Sequence, residues 1–225
     1  MGVIGIDTAG PVSGIGYIDD HTEFLWSQRL VKGADVLLLE QLAMLSDRHD
    51  IELIGVSIGP GSFTSLRVGV ALALGFAQAR GIKVVPVSSL KSRAAMFPHE
   101  YCLSLLDARR GKVYAQAFDS TCDLPKALTM ARDVSLDEVF PKQSFIAVGE
   151  GAEVYKDAIR AAGGFVPMDA TRSAAISVAK LALLQQDSAL DPKQVSVQYI
   201  RGASVVPPKQ LGVPVGTPST SIQEF

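Results

Sequence analysis

Three stretches of this chain carry residue types suited to chemistry at a strand end or turn. The first is Asp7-Thr8, two polar residues closing an apolar run that begins at Gly2. An aspartate there either faces a metal or phosphate or bonds its own turn backbone. The second is Gly59-Pro60-Gly61-Ser62, followed five residues later by Arg67. Glycines at a strand-to-helix step can open backbone N–H groups to an anion. Arg67 lies about one turn into the helix and reaches back to that anion or pairs with a carboxylate. No Lys-Ser or Lys-Thr follows the glycines, so this is not a Walker A loop. The third stretch is Asp107-Ala108-Arg109-Arg110-Gly111-Lys112. Its three basic residues make either a solvated tip or a contact for carboxylate or phosphate. Gly149-Glu150-Gly151 also lies at a strand-to-helix step, and its default reading is a tight turn.

Nucleophilic and metal chemistry find little support. Ser62 has no histidine nearby in sequence. His21, His49 and His99 stand far apart, with no pair at helical spacing. Cys102 and Cys122 have neither metal-like spacing nor the look of a disulfide framework. The 21 basic and 23 acidic residues leave a net charge of −2, which argues against direct, tight nucleic-acid binding by the chain as a whole. A local basic patch is compatible with that total. The 48% hydrophobic and 20% charged content of these 225 residues is that of a globular protein. The uncharged, apolar run 68–79 is too short to cross a bilayer. No basic leader precedes the first strand, and the expected location is cytoplasmic, with no membrane contact.

The elements that must hold these residues follow from the apolar patterning. Residues 53–58 read as a buried strand. Ser62 is expected to cap a helix over 63–79, and Gly81 to end it. That helix carries only Arg67, Gln78 and Arg80 as charged or amide side chains. Ser65, Gly69, Ala73 and Ala77 form a stripe of small residues, with Leu66, Val70 and Leu74 beside it. Such a helix is either buried on all sides or shared between the core and a partner subunit. The second reading makes Ser65, Leu66, Gly69, Val70, Ala73, Leu74 and Ala77 interface residues, joined by Leu37 and Met44 of the preceding helix. Gly69 and Gly75 each cost a helix about 1 kcal/mol relative to alanine, a cost that close packing would offset.

Upstream, strands are expected at 2–8, 13–18 and 23–31. A helix capped by Asp35 should run to about Arg48, with Leu38, Leu39, Leu42 and Leu45 on the core. Downstream come a strand at 82–86 and a short helix capped at Ser88-Ser89. Pro98-His99-Glu100 marks a junction. Beyond it lie a hairpin (101–106 and 113–118), a strand at 127–133, a helical turn at 135–140 and a strand at 145–148. Helices at 150–162 and 174–184 follow. The expected organisation is a first domain over 1–98, to which 195–203 return, a smaller second domain over 99–194, and a Pro-rich flexible tail over 204–225.

The run Gly59-Pro60-Gly61-Ser62-Phe63-Thr64-Ser65-Leu66-Arg67-Val68-Gly69 resembles the signature of the TsaB (YeaZ) family, which usually has Gly at the place of Ser65. Leu106-Asp107-Ala108-Arg109-Arg110-Gly111-Lys112-Val113-Tyr114 resembles a second family segment. Residues 194–201 resemble its Pro-x-Tyr-Leu-Arg element, with Val197 for Pro and Ile200 for Leu. The resemblance implies an α/β, actin-like ATPase (ribonuclease H-like) fold of two related domains. In that fold Asp7 matches a phosphate- and metal-proximal aspartate. Ala9-Gly10-Pro11 replace the usual Gly-Thr-Thr, and Pro11 removes an N–H.

The function implied is that of a non-catalytic subunit for N6-threonylcarbamoyladenosine (t6A) at position 37 of tRNAs reading ANN codons. Its partners would be the catalytic subunit TsaD, which transfers the threonylcarbamoyl group from an AMP ester, and the ATPase TsaE. Alone, the chain would form a homodimer, and tRNA would be reached only through the complex. It would have no cofactor or metal of its own, ATP and metal residing on the partners. TsaD has two histidines four residues apart on an early helix, and residues 33–47 here have none. The alternative is a small actin-like ATPase or kinase using Asp7 and the Gly59–Ser62 loop.

Overall fold

β1 (Val3–Asp7) is the middle strand of a five-stranded sheet. In this computed structural model, which describes residues 1–29 and 34–200, β2 (Val12–Ile18) and β3 (Glu23–Arg29) turn back antiparallel on one side of it. β4 (Leu53–Gly59) and β5 (Lys83–Ser88) lie parallel on the other, giving the order β3-β2-β1-β4-β5. Side chains alternate across a strand. Ile4, Ile6, Ile15, Tyr17, Ile54 and Val56 therefore share one face, and Val3, Ile18, Leu53, Val85 and Val87 the other.

The first face is covered by α1 (Ala34–Arg48) and α2 (Phe63–Arg80). Leu38, Leu42 and Leu45 of α1 are buried, as expected, whereas Leu39 is 55% exposed. Leu39 follows Leu38 by 100° around the helix and so turns off the core side. α2 ends as the sequence suggests, with Gly81 left-handed (φ 66°) and its N–H donating to Ala77 O. The capping by Asp35, the end of the third strand at 30–31 and the tail over 204–225 lie outside the described residues.

α3 (Ser89–Ala94) packs between this sheet and a second one. Its cap is Ser88, whose hydroxyl accepts from Lys91 N. The second sheet comprises β6 (Cys102–Arg109), β7 (Lys112–Asp119), β8 (Lys126–Ala127), β9 (Arg132–Ser135), β10 (Phe145–Val148) and β11 (Gly164–Phe165). The strand expected at 127–133 is thus two short strands on β7. The helix expected over 150–162 is broken at Tyr155 into α4 (Glu150–Val154) and α5 (Lys156–Ala161).

α6 (Ala175–Leu184) does not cover the second sheet, although its place in the chain puts it within the expected second domain. It lies on the second face of the first sheet, where Val178, Ala179, Leu181 and Ala182 meet Val3, Leu53 and Val85. Gly5, Gly16 and Gly55 leave room for it, since a Cβ on any of them would strike α6 backbone or side chains. Val195 and Val197 then pack on the first core, and Gln198 N donates to Ile58 O at 2.8 Å. Antiparallel-then-parallel strand order with helices on both faces is the topology of the actin-like ATPase fold. Among the described residues no helix is long and apolar enough to cross a membrane.

Candidate functional site

Where the two sheets approach each other, a buried charged cluster spans the junction. Asp7 ends β1 and is fully buried, and Arg93 on α3 is nearly so. Arg93 Nη2 donates to Asp7 Oδ2 at 3.3 Å, and its Nη1 donates to Ser89 O at 2.9 Å. Its Nε lies 3.7 Å from Oε2 of Glu150, the first residue of α4. Asp7 also accepts from the N–H groups of Ala9 (3.3 Å) and Ala174 (3.2 Å). One carboxylate is therefore held by its own turn, by α3 and by the start of α6. Burial pushes the Glu150 carboxyl up to about 7, against the opposing pull of Arg93. The charges of Asp7 and Asp107 add to the rise.

The actin-like fold implies a metal–nucleotide pair at such an aspartate, and the residues present do not fit one. The cation at Asp7 is already the Arg93 guanidinium. A Cβ on Gly10 would come within 3.0 Å of Arg93 Nη2 and 3.1 Å of Glu150 Oε2, so the β1–β2 loop is packed onto the pair. Among the described residues no group of three His, Cys, Asp or Glu side chains is placed to hold a metal. His49 stacks on Tyr17 (4.3 Å), and His99 Nδ1 is engaged with the backbone of Tyr101.

The loop expected to hold an anion is engaged with the protein itself. Gly59 N donates to Ser89 Oγ (3.1 Å) and Ser62 N to Ala9 O (3.0 Å). A Cβ on Gly61 would run into Ala9. Ser62 does not cap the helix through its hydroxyl, which instead accepts from Ser65 Oγ at 2.9 Å. Arg67 stacks on the Phe63 ring (3.8 Å) and its Nε donates to Tyr199 Oη (3.1 Å); Phe63 in turn stacks on Tyr199 (5.1 Å). This exposed cluster pins the 198–200 segment to the start of α2. Gly59, Ser62 and Arg67 thus make contacts within the chain, and Gly61 packs against Ala9.

The seven residues expected at a partner interface also divide differently. Leu66, Gly69, Val70, Ala73 and Ala77 are buried against the chain's own sheet, and Ser65 and Leu74 are half-buried. A Cβ on Gly69 would collide with Thr8, whose hydroxyl donates to Ser65 O at 2.8 Å. The small stripe is therefore what lets α2 close on the end of β1, and those five side chains are not free for a partner. The outer side of α2 carries Thr64, Ala71 and Gly75 exposed and Val68 and Leu72 half-buried. Among the described residues nothing lies within 4 Å of a Cβ placed on Gly75. On α1, Val36 and Leu39 are more than half exposed.

The β6–β7 tip is the remaining feature singled out by the sequence. Arg109, Arg110 and Lys112 are exposed there, and Asp107 Oδ1 accepts from Arg109 N at 2.8 Å. Arg93 carries no local signal in the sequence. Glu150 was visible only as the middle of a Gly-x-Gly turn, and its role depends on a partner 57 residues away, between Arg93 and Glu150.

Comparison with known proteins agrees with this fold. The family model described as "TsaD: tRNA N6-adenosine threonylcarbamoyltransferase" matches residues 37–199. The chain is 30% identical over 165 residues to the tRNA threonylcarbamoyladenosine biosynthesis protein TsaB of Bacillus subtilis, covering 70% of this chain and 67% of that one. It is 33% identical over 141 residues to an uncharacterised protein of Mycobacterium tuberculosis, covering 59% of this chain and 66% of the relative's length. YeaZ from Pseudomonas aeruginosa superposes with a TM-score of 0.72 at 16% identity, over 88% of this chain and 99% of that one. With this topology and these matches, the chain belongs to the TsaB (YeaZ) family.

Proposed function

We propose that this chain is a non-catalytic subunit in the formation of N6-threonylcarbamoyladenosine at position 37 of tRNAs that read ANN codons. It would act by binding and ordering a TsaD-type threonylcarbamoyltransferase. The names of its TsaB relatives support the pathway. One observation carries the non-catalytic part: Arg93 bridges Asp7 and Glu150 where an actin-like ATPase would need room for metal and phosphate. Nucleotide, metal and the transfer chemistry would then reside on TsaD and on the ATPase TsaE.

The docking face would be the outer side of α2 with the adjoining part of α1. Gly75 supports this choice. A helix-interior glycine costs about 1 kcal/mol relative to alanine, and among the described residues Gly75 has no contact that needs its small size. A close-packed partner backbone supplies the reason. Without TsaD the same face would pair two copies of this chain in the cytoplasm.

The test is reconstitution. TsaD, TsaE, ATP, threonine and bicarbonate, with the enzyme that makes the threonylcarbamoyl-AMP ester, are incubated with tRNA with and without this chain. Modified nucleoside is then quantified. Formation only in its presence, with calorimetric silence towards Mg-ATP on the isolated chain, is the expected result. Equal formation without it, or Mg-ATP turnover by the chain alone, would overturn the reading.

A further inference from the structure

The β6–β7 hairpin places arginine where its backbone favours glycine or asparagine. Arg109 pairs with Lys112, so Arg110 and Gly111 are the two central turn residues. Their φ values, 57° and 74°, are the positive pair of a tight primed turn, for which Asn-Gly is the preferred sequence. A register shift between Asp107 and Arg109 leaves Arg109 left-handed as well, at φ 62°. Left-handed backbone crowds the Cβ of any residue but glycine. Such strain is characteristic of functional positions.

What the strained residues present is charge without apolar surface. Arg109, Arg110 and Lys112 are exposed, and among the described residues none is in an ion pair. The carboxylate of the tip, Asp107, is turned onto the Arg109 N–H. Ala108 is buried. A protein partner would need an apolar centre with charged groups depleted, which this tip lacks. Cations gathered at a turn that β9 braces through Lys112 and Ser135 suit a row of phosphates, and the planar guanidinium takes phosphate oxygens in pairs. The arm also stands near the junction, because Asp107 is close enough to act on the Glu150 carboxyl.

We propose that the β6–β7 tip is this chain's direct contact with the phosphate backbone of tRNA, an inference that rests on the subunit reading above. The chain's net charge of −2 makes the contact local, and a phosphate contact is salt-sensitive.

The test uses the chain–TsaD complex and a labelled, unmodified ANN-reading tRNA transcript, titrated by anisotropy at several salt concentrations. The variant is Arg109→Gly with Arg110→Gly, because glycine accepts both left-handed positions. Expected are an unchanged or higher Tm, intact TsaD binding, about tenfold weaker tRNA binding at low salt, and a salt slope shallower by roughly 1.5. Arg109→Lys with Arg110→Lys keeps the charge and should keep most of the slope. Unchanged tRNA affinity and slope in the glycine variant overturns the proposal. So does a fall in Tm, which would make the arginines structural. Loss of TsaD binding with tRNA binding retained would assign the tip to an acidic protein surface and also overturn it. Gel filtration of the wild-type mixture is read first. If no complex forms, the subunit reading fails separately, and the same titration on the isolated chain decides the phosphate contact.

Discussion

Arg93 and Asp7, 86 residues apart in sequence, form an ion pair at 3.3 Å with both side chains essentially out of solvent. The pair ties β1 of the first sheet to α3, and through Glu150 to the start of α4 on the second. Removing one partner of a buried pair leaves an unpaired charge, at a cost of about 3–5 kcal/mol. Arg93→Met should therefore lower Tm by roughly 10 °C for a chain of this size. Adding Asp7→Asn should recover much of the loss. Equal Tm values for wild type and Arg93→Met in thermal unfolding would show that the pair contributes nothing.

Glu150 gives this junction a pH dependence with a definite sign. Its folded carboxyl stands at about 7, above the ordinary 4.5 it regains on unfolding. Between those values the folded chain holds a proton that the unfolded chain has released. Its contribution to stability is thus complete below about 4.5 and lost as pH rises through 7. Arg93, Asp7 and Asp107 are the charged groups acting on it, and Arg93 opposes the rise. Denaturant midpoints measured at mildly acidic and mildly alkaline pH should fall towards high pH in the wild type and fall less in Glu150→Gln. Parallel profiles for the two proteins would remove Glu150 from the account.

Two glycines of α2 should respond oppositely to alanine. At Gly69 the new methyl meets Thr8, so Gly69→Ala must displace Thr8 or the helix and is expected to destabilise by about 1–3 kcal/mol. At Gly75 there is open space, and Gly75→Ala should stabilise the isolated chain by up to about 1 kcal/mol. Chemical unfolding of the two variants separates them. Similar signs at both positions would mean that the two faces of α2 are not as different as described.

A charge on each face separates the core side of α2 from the proposed docking side. Ala73 is fully buried, and Ala73→Glu should prevent folding, because a lone carboxylate there has no partner. Ala71 is exposed, and Ala71→Glu should leave a folded monomer that no longer pairs with TsaD or with itself. Normal pairing by a folded Ala71→Glu variant would move the interface off α2.

The elements that sequence patterning revealed best are those whose signals are local. The run of β4, the loop and α2 was legible because a β-branched stretch, two glycines and a left-handed Gly81 all act within a few residues. The turn role of Asp7 was legible for the same reason, since Ala9 N is two residues away. Its bonds to Arg93 and Ala174 were not, because they depend on how helices 86 and 167 residues distant dock. The small stripe of α2 was visible as a pattern, yet a stripe records only that something comes close. Thr8 is what comes close, and the periodicity of α2 cannot name it. Likewise α6 reads as an apolar helix without saying which of two sheets it covers. The glycines at 5, 16 and 55 are what admit it to the first.

The position of α6 has a consequence for the chain as it leaves the ribosome. All five strands of the first sheet are synthesised by Ser88, but α6, which closes that sheet, ends at Leu184. The intervening 96 residues (184 minus 88) take roughly 5–20 s to make at ordinary elongation rates. Throughout that interval one side of a finished sheet, including Val3, Leu53 and Val85, waits uncovered. Nascent chains arrested before residue 175 should therefore be bound by holdase chaperones, and chains arrested once α6 has cleared the exit tunnel should not.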